Sequence, residues 1–347
     1  MFIDSGKTKQ IITSGVDDGV PQFTTTLRYF PKEELNCYDL ALTNEEKFIF
    51  RAGFYYANYD GKSQPPVFDL LLGGQLWETV NSSASNGPIF HELIYNPING
   101  NISVCLRAKK DGGIPFISSL EATYLMHDDS YNQTVYTKMK NGSSYHLVSR
   151  INFGGYNQVI EPWSPEYDEE LNRYWMPQPM PGYVNLSFEY TVGEEYYENR
   201  PPTTVLNTAI TPQNASQSIH VPITFPTTDP QSAYMVLYFY QNLNESETLN
   251  STRYMDIYVD GFVRASVKFD EFRSGEVVTI YPLLVQDIAN VTISPANGTV
   301  LSPLLNGMEV FIASELVEQP SFGYKISSSL MVVCVLHFIV IVLVVLD

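Results

Sequence analysis

The sequence predicts an all-β protein: two tandem jelly-roll β-sandwich domains followed by a C-terminal hydrophobic helix. Three observations lead to this fold class. Tyrosine and phenylalanine are abundant, at 24 and 19 of 347 residues, and such side chains are typical of strands. Short apolar runs alternate with turns rich in Gly, Pro and Asn, with no long amphipathic helix between them. The chain also repeats itself, which indicates two copies of one domain.

Two hairpins are the clearest local elements. Residues Phe262–Phe269 alternate with period two, and the preceding Asp260-Gly261 is a favoured two-residue turn, so Tyr254–Val259 is the predicted partner strand. The first half has a matching hairpin, with strands Val67–Leu72 and Gln75–Val80 on either side of a Gly-Gly turn. Both hairpins therefore predict antiparallel sheet at equivalent places in the two halves.

Three segments recur in the same order along the chain, at separations of 184, 187 and 188 residues. The matching pairs are Phe54–Asn58 with Tyr238–Asn242, Asp69–Gly74 with Asp256–Gly261, and Pro115–Glu121 with Pro303–Glu309. The polar stretch Asn141–Arg150 has the composition of a domain boundary. We therefore predict one domain over residues 1–145, a second over 146–318, and a hydrophobic tail over 319–347.

The last apolar segment runs from Leu330 to Leu346, seventeen residues interrupted only by His337. That length is at the short end of a membrane-spanning helix, so a transmembrane segment is the first interpretation. Three small residues before it, Ser327–Ser329, fit a lipid-anchor signal, but the polar spacer of such a signal is missing. A gene-annotation artefact and a buried core helix are the other interpretations. The run lacks the polar face typical of a core helix.

Glycosylation sequons indicate the secretory pathway, because ten Asn-x-Ser/Thr triplets occur where chance predicts about three. They begin at Asn81, Asn101, Asn132, Asn141, Asn185, Asn214, Asn244, Asn250, Asn290 and Asn297. The N-terminus lacks the basic and apolar regions of a signal peptide, so we expect the secretion signal to be missing from this chain. The predicted location is the plasma membrane, with an extracellular domain and a single-pass C-terminal segment.

Cys37 and Cys105 are the two cysteines outside the apolar tail, which holds Cys334. In an oxidising compartment this pair can form one disulfide; two buried free thiols are the alternative. The sequence has no Cys-x-x-Cys and no Cys/His cluster with zinc spacing, so we predict neither a metal site nor a cofactor.

The charge balance excludes one class of partner. The formal net charge is −18, with 38 acidic and 20 basic residues. A nucleic-acid-binding protein needs a basic surface to neutralise phosphates, so nucleic acid is not an expected partner. Binding to anionic membranes through charge is excluded for the same reason.

Ten short motifs, in this order and spacing, resemble the malectin-like domain of plant receptor-like kinases of the leucine-rich-repeat branch. They are Phe2–Gly6, Leu27–Pro31, Asn36–Tyr38, Asn58–Gly61, Phe68–Gly73, Ile102–Leu106, Pro115–Glu121, Asn152–Gly154, Asp168–Trp175 and Pro201–Pro212. The resemblance implies two malectin-like domains, the first lacking its initial strand. No leucine-rich repeat and no kinase motif is found, so kinase activity is not carried over. The chain resembles an ectodomain fragment.

Aromatic residues in loops with acids nearby are typical of sugar-binding sites. The rings stack on the apolar faces of sugars, and the carboxylates accept hydrogen bonds from the sugar hydroxyl groups. The resemblance to malectin, which binds a glucose disaccharide in this way, implies a similar site here. The candidate residues are Tyr55, Tyr56, Tyr59 and Asp60 in the first copy and Trp163, Tyr167 and Trp175 in the second. The alternative is that these aromatics belong to the sandwich cores, as we expect for Trp77.

The leading hypothesis is a cell-surface recognition module that binds a carbohydrate or peptide ligand and passes the event to a co-receptor at the membrane. A truncated decoy or structural fragment without signalling is the alternative. A glycosidase acting through paired carboxylates is a remote third. The five histidines accompany no nucleophile or metal motif, so we expect no enzyme activity.

Overall fold

The computed structural model describes residues 6–11, 25–42, 47–83, 87–97, 100–125, 135–155, 159–162, 169–188, 197–241, 252–269 and 275–315, and the backbone of 340–344. The chain forms two compact units. Unit 1 comprises 1–126, 141–146 and 314–347, and unit 2 comprises 127–140 and 147–313.

Unit 1 is a sandwich of β-sheets. Its strands are Lys7–Gln10 (β1), Thr26–Tyr29 (β2), Leu35–Ala41 (β3), Phe48–Phe54 (β4), Val67–Leu72 (β5), Gln75–Asn81 (β6), Ile89–Tyr95 (β7), Asn101–Ala108 (β8), Phe116–Ile117 (β9) and Ser119–Tyr124 (β10). One sheet has the order β3-β8-β5-β6, and β4 lies between β7 and β10 in the other. A small third sheet has the order β1-β2-β9.

Strand Ser143–Asn152 (β11) begins in unit 1, where Tyr145 and His146 pair with β7, and ends in unit 2. The later elements are Met176–Pro177 (β12), Tyr183–Ser187 (β13), a single helical turn Thr203–Leu206 (α1), Thr208–Pro212 (β14), Ile219–Thr224 (β15), Gln231–Tyr240 (β16), Arg253–Val259 (β17), Phe262–Phe269 (β18), Gly275–Val285 (β19), Ile288–Pro295 (β20) and Gly307–Glu315 (β21).

The two units share one topology, which confirms the predicted fold class. The four-stranded sheet of unit 2 has the order β15-β20-β17-β18, and its strands correspond one by one to β3-β8-β5-β6 of unit 1. In the facing sheet β16 lies between β19 and β21, as β4 lies between β7 and β10. Each pair of sheets encloses its own apolar core, and Trp77 lies in the core of unit 1 as predicted.

The pattern of buried residues along a strand depends on the position of that strand in the sandwich. In β15 the burial alternates strictly, with Ile219, Val221 and Ile223 in the core, because one face of this strand meets solvent. All seven residues of β4 are buried, as are the last eight of β16. These central strands are covered on both faces, so a second buried layer lies outside each sandwich core.

Both predicted hairpins are confirmed. Strands β5 and β6 turn at Gly73-Gly74, and β17 and β18 turn at Asp260-Gly261; all four turn residues have positive φ, as a type I′ turn requires. A register shift follows Leu70 in one hairpin and Ile257 in the other, 187 residues apart. The repeat therefore extends to the same bulge in both copies.

A side-chain contact repeats as well. Thr79 Oγ1 donates to Asp69 Oδ1 at 3.0 Å, and Ser266 Oγ donates to Asp256 Oδ1 at 2.5 Å. Each hydroxyl follows its carboxylate by ten residues, so the two hairpins carry the same cross-strand bond. In unit 1 the carboxylate of Asp69 also binds Arg107 and Lys109.

The C-terminal tail differs from the expected helix. Residues Val340–Val344 form a strand (β22) that pairs antiparallel with Ser119–Thr123 of β10. A helix through the whole of 330–346 is therefore wrong for these five residues, because their backbone groups bond to a neighbouring strand. Residues 330–339 lie outside the described part of the chain. Within the described residues, no helix has the length and apolar character needed to cross a bilayer.

Cys37 and Cys105 form a disulfide that joins directly opposite residues of β3 and β8, with Cα atoms 4.0 Å apart. The bond closes a sequence separation of 68 residues. In the chain-entropy model a loop of this length restricts the unfolded state by roughly 4 kcal/mol.

We therefore predict that the C37S/C105S double variant lowers the free energy of unfolding of unit 1 by about 3–4 kcal/mol. Urea titration followed by tryptophan fluorescence, with and without reductant, measures the loss. Reductant is expected to shift the wild-type midpoint toward that of the double variant. Coincident midpoints for the wild type and the variant under oxidising conditions would contradict the prediction.

Candidate functional site

Four predicted site residues lie on one loop of unit 1, directly after β4. The hydroxyl of Tyr56 donates to Asp60 Oδ1 at 2.6 Å and accepts the backbone N–H of Gln64 at 3.3 Å. It also lies 3.3 Å from Asn58 Oδ1. The loop is therefore folded around the hydroxyl of Tyr56, a residue that is only 9% exposed.

The loop backbone depends on these polar contacts. Ala57, Asn58 and Ser63 have positive φ, a conformation that is costly for residues other than glycine. Asn58 Oδ1 accepts the N–H of Ser63 at 2.8 Å, and Asp60 Oδ1 accepts the N–H of Lys62 at 3.1 Å. These bonds compensate for the strained backbone and hold the loop in one shape.

The aromatic rings of the loop pack against the unit 1 core. Tyr59 lies 5.3 Å from Tyr29 and 5.6 Å from both Tyr56 and Phe116, measured between ring centroids. Burial and the hydrogen bond to Asp60 raise the pKa of Tyr56 to about 12, and burial also raises the pKa of Tyr59. Both phenols are thus neutral at ordinary pH. Tyr56 is a buried packing group, while Tyr59 packs against the core and stays partly exposed.

Tyr55, Tyr59 and Asp60 are partly exposed, while Tyr56 is buried. The backbone N–H of Tyr55 donates to Ser118 Oγ at 3.1 Å, which fixes the start of the loop. The arrangement presents two aromatic side chains and one carboxylate on a rigid support. Such a group can stack on an apolar face and accept hydrogen bonds from a ligand.

The predicted site in unit 2 is different. Trp175 is fully buried, which contradicts its expected role as a surface ring for sugars. Its indole N–H donates to Glu169 Oε2 at 2.8 Å, and the Arg173 guanidinium lies 5.1 Å from the ring centroid. Trp163 and Tyr167 lie outside the described residues.

Trp175 belongs to a buried charge network on the outer face of β16 and β21. Arg150 Nε binds Glu309 Oε1 at 2.5 Å, and Arg173 Nε binds Glu169 Oε1 at 3.0 Å. Arg173 Nη1 also lies 3.7 Å from Glu309 Oε2. Two guanidinium groups thus face two carboxylates with almost no exposure to water. This charge balance is what makes their burial tolerable.

Two tyrosine hydroxyls complete the network. Tyr136 and Tyr238 donate to the two oxygens of Glu309 at 2.8 and 2.5 Å. Burial by itself would lower the pKa of Arg173, but the carboxylate of Glu169 and the other acidic groups hold that pKa well above its usual value. The run from Glu169 to Trp175 is therefore held in place by structural contacts.

Unit 1 has a smaller counterpart on the outer face of β4. Arg51 Nη2 and Nη1 bind Glu92 Oε2 and Glu121 Oε2, both at 2.9 Å. Glu121 and Glu309 occupy equivalent positions in the repeated segment, so the same glutamate binds a buried arginine in both units. The repeat was visible in the sequence, but the arginine partners were not, since they come from other strands.

A shallow cleft of about 360 Å³ lies in unit 2 and was not predicted. Its lining residues are Pro181, Gly182, Tyr183, Pro212, Gln217, Ser218 and His220. The hydroxyl of Tyr183 accepts the backbone N–H of His220 at 2.9 Å, and His220 Nδ1 lies 3.1 Å from Thr292 Oγ1. No sequence motif marked this cleft, because strands β13, β14 and β15 form it together.

Seven of the ten sequon asparagines are described, and all seven are exposed: Asn81, Asn101, Asn141, Asn185, Asn214, Asn290 and Asn297. Asn132, Asn244 and Asn250 lie outside the described residues. A glycan needs an exposed attachment point, so the placement of these seven suits the predicted glycosylation.

In the described part of the chain, no three His, Cys, Asp or Glu side chains come together in a way that could hold a metal ion.

The comparisons with known proteins identify the family. A family model for the malectin-like domain matches residues 1–313. The chain therefore belongs to the malectin-like family, as the motifs predicted. The probable LRR receptor-like serine/threonine-protein kinase PAM74 of Arabidopsis thaliana is 32% identical over 264 residues, which cover 76% of this chain and 28% of the relative. The chain spans about a third of the length of PAM74 and of the other LRR receptor-like kinases it resembles.

Solved structures share the fold. The extracellular domain of ANXUR2 from Arabidopsis thaliana aligns with a TM-score of 0.71 at 13% identity, covering 90% of both chains. A structure of the plant peptide RALF23 in complex with FER and LLG2 aligns with a TM-score of 0.67 at 18% identity, covering 90% of this chain and 89% of that one. At these identities the likeness concerns the fold.

Removing one carboxylate from the network of unit 2 should be costly. We predict that Glu309→Gln lowers the free energy of unfolding by about 3–5 kcal/mol, because two buried arginines then face one remaining acid. Urea unfolding of the full chain measures the change. The exposed Asp229→Asn is the matched control and should stay within about 0.5 kcal/mol of the wild type. Equal effects of the two substitutions would contradict the proposed role of the network.

Two histidines of unit 1 predict acid sensitivity. Burial lowers the pKa of both His91 and His146 from 6.5 to about 4. His91 lies beside the ring of Phe54, and His146 Nε2 lies 3.0 Å from Ser144 Oγ. The folded state therefore favours neutral rings, so their contribution to stability is complete above pH 6.5 and is lost as the pH falls toward 4.

We expect the loss to reach up to about 3 kcal/mol for each histidine. The measurement is the free energy of unfolding of unit 1 between pH 7 and 4, compared with a His91→Gln/His146→Gln variant. The variant should have a flatter pH profile in this range. Substituting the exposed His220 of unit 2 is the control and should leave the profile as it is. A double variant whose free energy of unfolding falls between pH 7 and 4 as steeply as that of the wild type would contradict the role of His91 and His146.

Proposed function

We propose that this protein is a cell-surface recognition module that binds an extracellular ligand and presents it to a co-receptor at the membrane. Support comes from membership of the malectin-like family and from relatives that are receptor-like kinases. The exposed sequons support an extracellular, glycosylated surface. Attachment by a single-pass C-terminal segment stays a prediction, and the strand at Val340–Val344 counts against it.

The observation that best supports ligand binding is the rigid loop after β4. It offers Tyr55 and Tyr59 as partly exposed aromatic surfaces beside the carboxylate of Asp60, on a backbone fixed by Tyr56 and Asn58. A preorganised loop binds at a lower entropic cost than a flexible one. Loops on a rigid sandwich are also the usual place for recognition.

A peptide is the ligand class we favour. A protein with the same fold is seen in complex with the peptide RALF23 and with LLG2, and this supports a peptide and a co-receptor as partners here. A carbohydrate is the second candidate, favoured by the pairing of aromatic rings with a carboxylate on the loop. The carboxylates of Glu169 and Glu309 form ion pairs with buried arginines, so these two acids are not the paired catalytic carboxylates that a glycosidase would need.

The test uses the full chain, secreted with its glycans, against a panel of plant secreted peptides and cell-wall oligosaccharides, with calorimetric titration of any hit. We expect Tyr55→Ala to weaken binding at least tenfold, about 1.4 kcal/mol, because a partly exposed aromatic contact is removed. Tyr258→Ala, on the unit 2 sheet, is the control and should bind as the wild type does.

Two outcomes would contradict the proposal. No binding across the panel would remove the recognition role. Equal effects of Tyr55→Ala and Tyr258→Ala would show that the loop after β4 is not the contact surface, and the cleft at Tyr183 would then be the next site to test.

A further inference from the structure

Strand β10 has a neighbour on each side. It pairs with β4 along Ser119–Tyr124, and with β22 along Ser119–Thr123. The register with β22 places Leu120 opposite residue 343 and Ala122 opposite residue 341. Strand β10 is therefore an interior strand of its sheet, although its second neighbour comes from the far end of the sequence.

Unit 2 shows that this interior position is a feature of the repeat. Strand β21 is the counterpart of β10, because Pro303–Glu309 repeats Pro115–Glu121 and because each strand pairs with the central strand of its unit. The second neighbour of β21 is β11. The repeated fold thus requires a strand on the outer side of β10, and β22 occupies that position.

Strand β10 is buried along the whole length of its pairing with β22. All five residues from Ser119 to Thr123 are at most 9% exposed, including the carboxylate of Glu121 that binds Arg51. Without β22, a row of backbone N–H and C=O groups of β10 would lose its partners.

We propose that Val340–Val344 is a donor strand that completes the unit 1 sheet at β10, and that it is not part of a membrane-spanning helix. Four of its five residues are valine or isoleucine, whose branched side chains favour strands over helices. Twenty-four residues, 316–339, separate it from the end of β21, a length that can span up to about 80 Å when extended.

The first test is a disulfide cross-link in the full chain, with Cys334→Ser to remove the tail thiol. Cysteines at the opposed positions 122 and 341 (A122C/I341C) should oxidise to a bond, since directly opposed residues lie within disulfide reach. The offset pair A122C/L343C is the control and should stay reduced. Mass spectrometry of the non-reduced protein, with the native Cys37–Cys105 bond as a folding marker, gives the readout. No cross-link in folded A122C/I341C, or equal cross-linking in both variants, would overturn the proposal.

The second test separates a strand from a helix. Neighbouring residues of a strand direct their N–H groups to opposite sides, so only one of Ile341→Pro and Val342→Pro removes a bond to β10. We expect one variant to lower the Tm of unit 1 by at least about 4 °C and the other to leave it nearly unchanged. A membrane-spanning helix would respond alike to both. Equal shifts, or no shift from either variant, would overturn the proposal.

Discussion

A buried glutamate bound to a buried arginine is the interaction on which the rest of each unit depends. Glu121 binds Arg51 in unit 1, and Glu309 binds Arg150 in unit 2. These groups lie on the outer face of the central sheet strands, where a charge is tolerated only if its partner is in place and water is excluded. The fold must therefore cover both faces of β4 and β16. This explains why these strands are buried throughout.

In unit 2 the residues that cover the outer face of β16 can be named. The segment from Glu169 to Trp175 and the residues around Tyr136 bring a second arginine, a second glutamate and the phenol of Tyr136 to the same point. Trp175, which the sequence suggested as a stacking ring for sugars, is instead part of this cover. Trp175, Glu169 and Glu309 of unit 2 are thus buried, whereas the loop after β4 keeps part of its aromatic and acidic surface exposed.

The sequence predicted a large part of the fold correctly. The two hairpins, the strand bounds near them and the order of the repeat follow from period-two alternation and turn chemistry, which are local properties of the chain. The candidate site was predicted less well. Tyr55, Tyr59 and Asp60 are partly exposed on one loop, but Tyr56 and Trp175 are buried, because composition alone does not tell a stacking ring from a packed one. The cleft at Tyr183 was missed, since three separate strands form it.

The all-β class, the duplication, the family and the excess of glycosylation sequons are all visible in the amino-acid sequence. All of these depend on residue type and spacing along the chain. The fold in three dimensions is needed to see which arginine neutralises each buried glutamate and which aromatic ring faces water. It also decided that Val340–Val344 lies against β10 as a strand. The physical reason is the same in each case: these features depend on partners far away in the sequence, and an apolar run has the same composition whether it crosses a bilayer or joins a sheet.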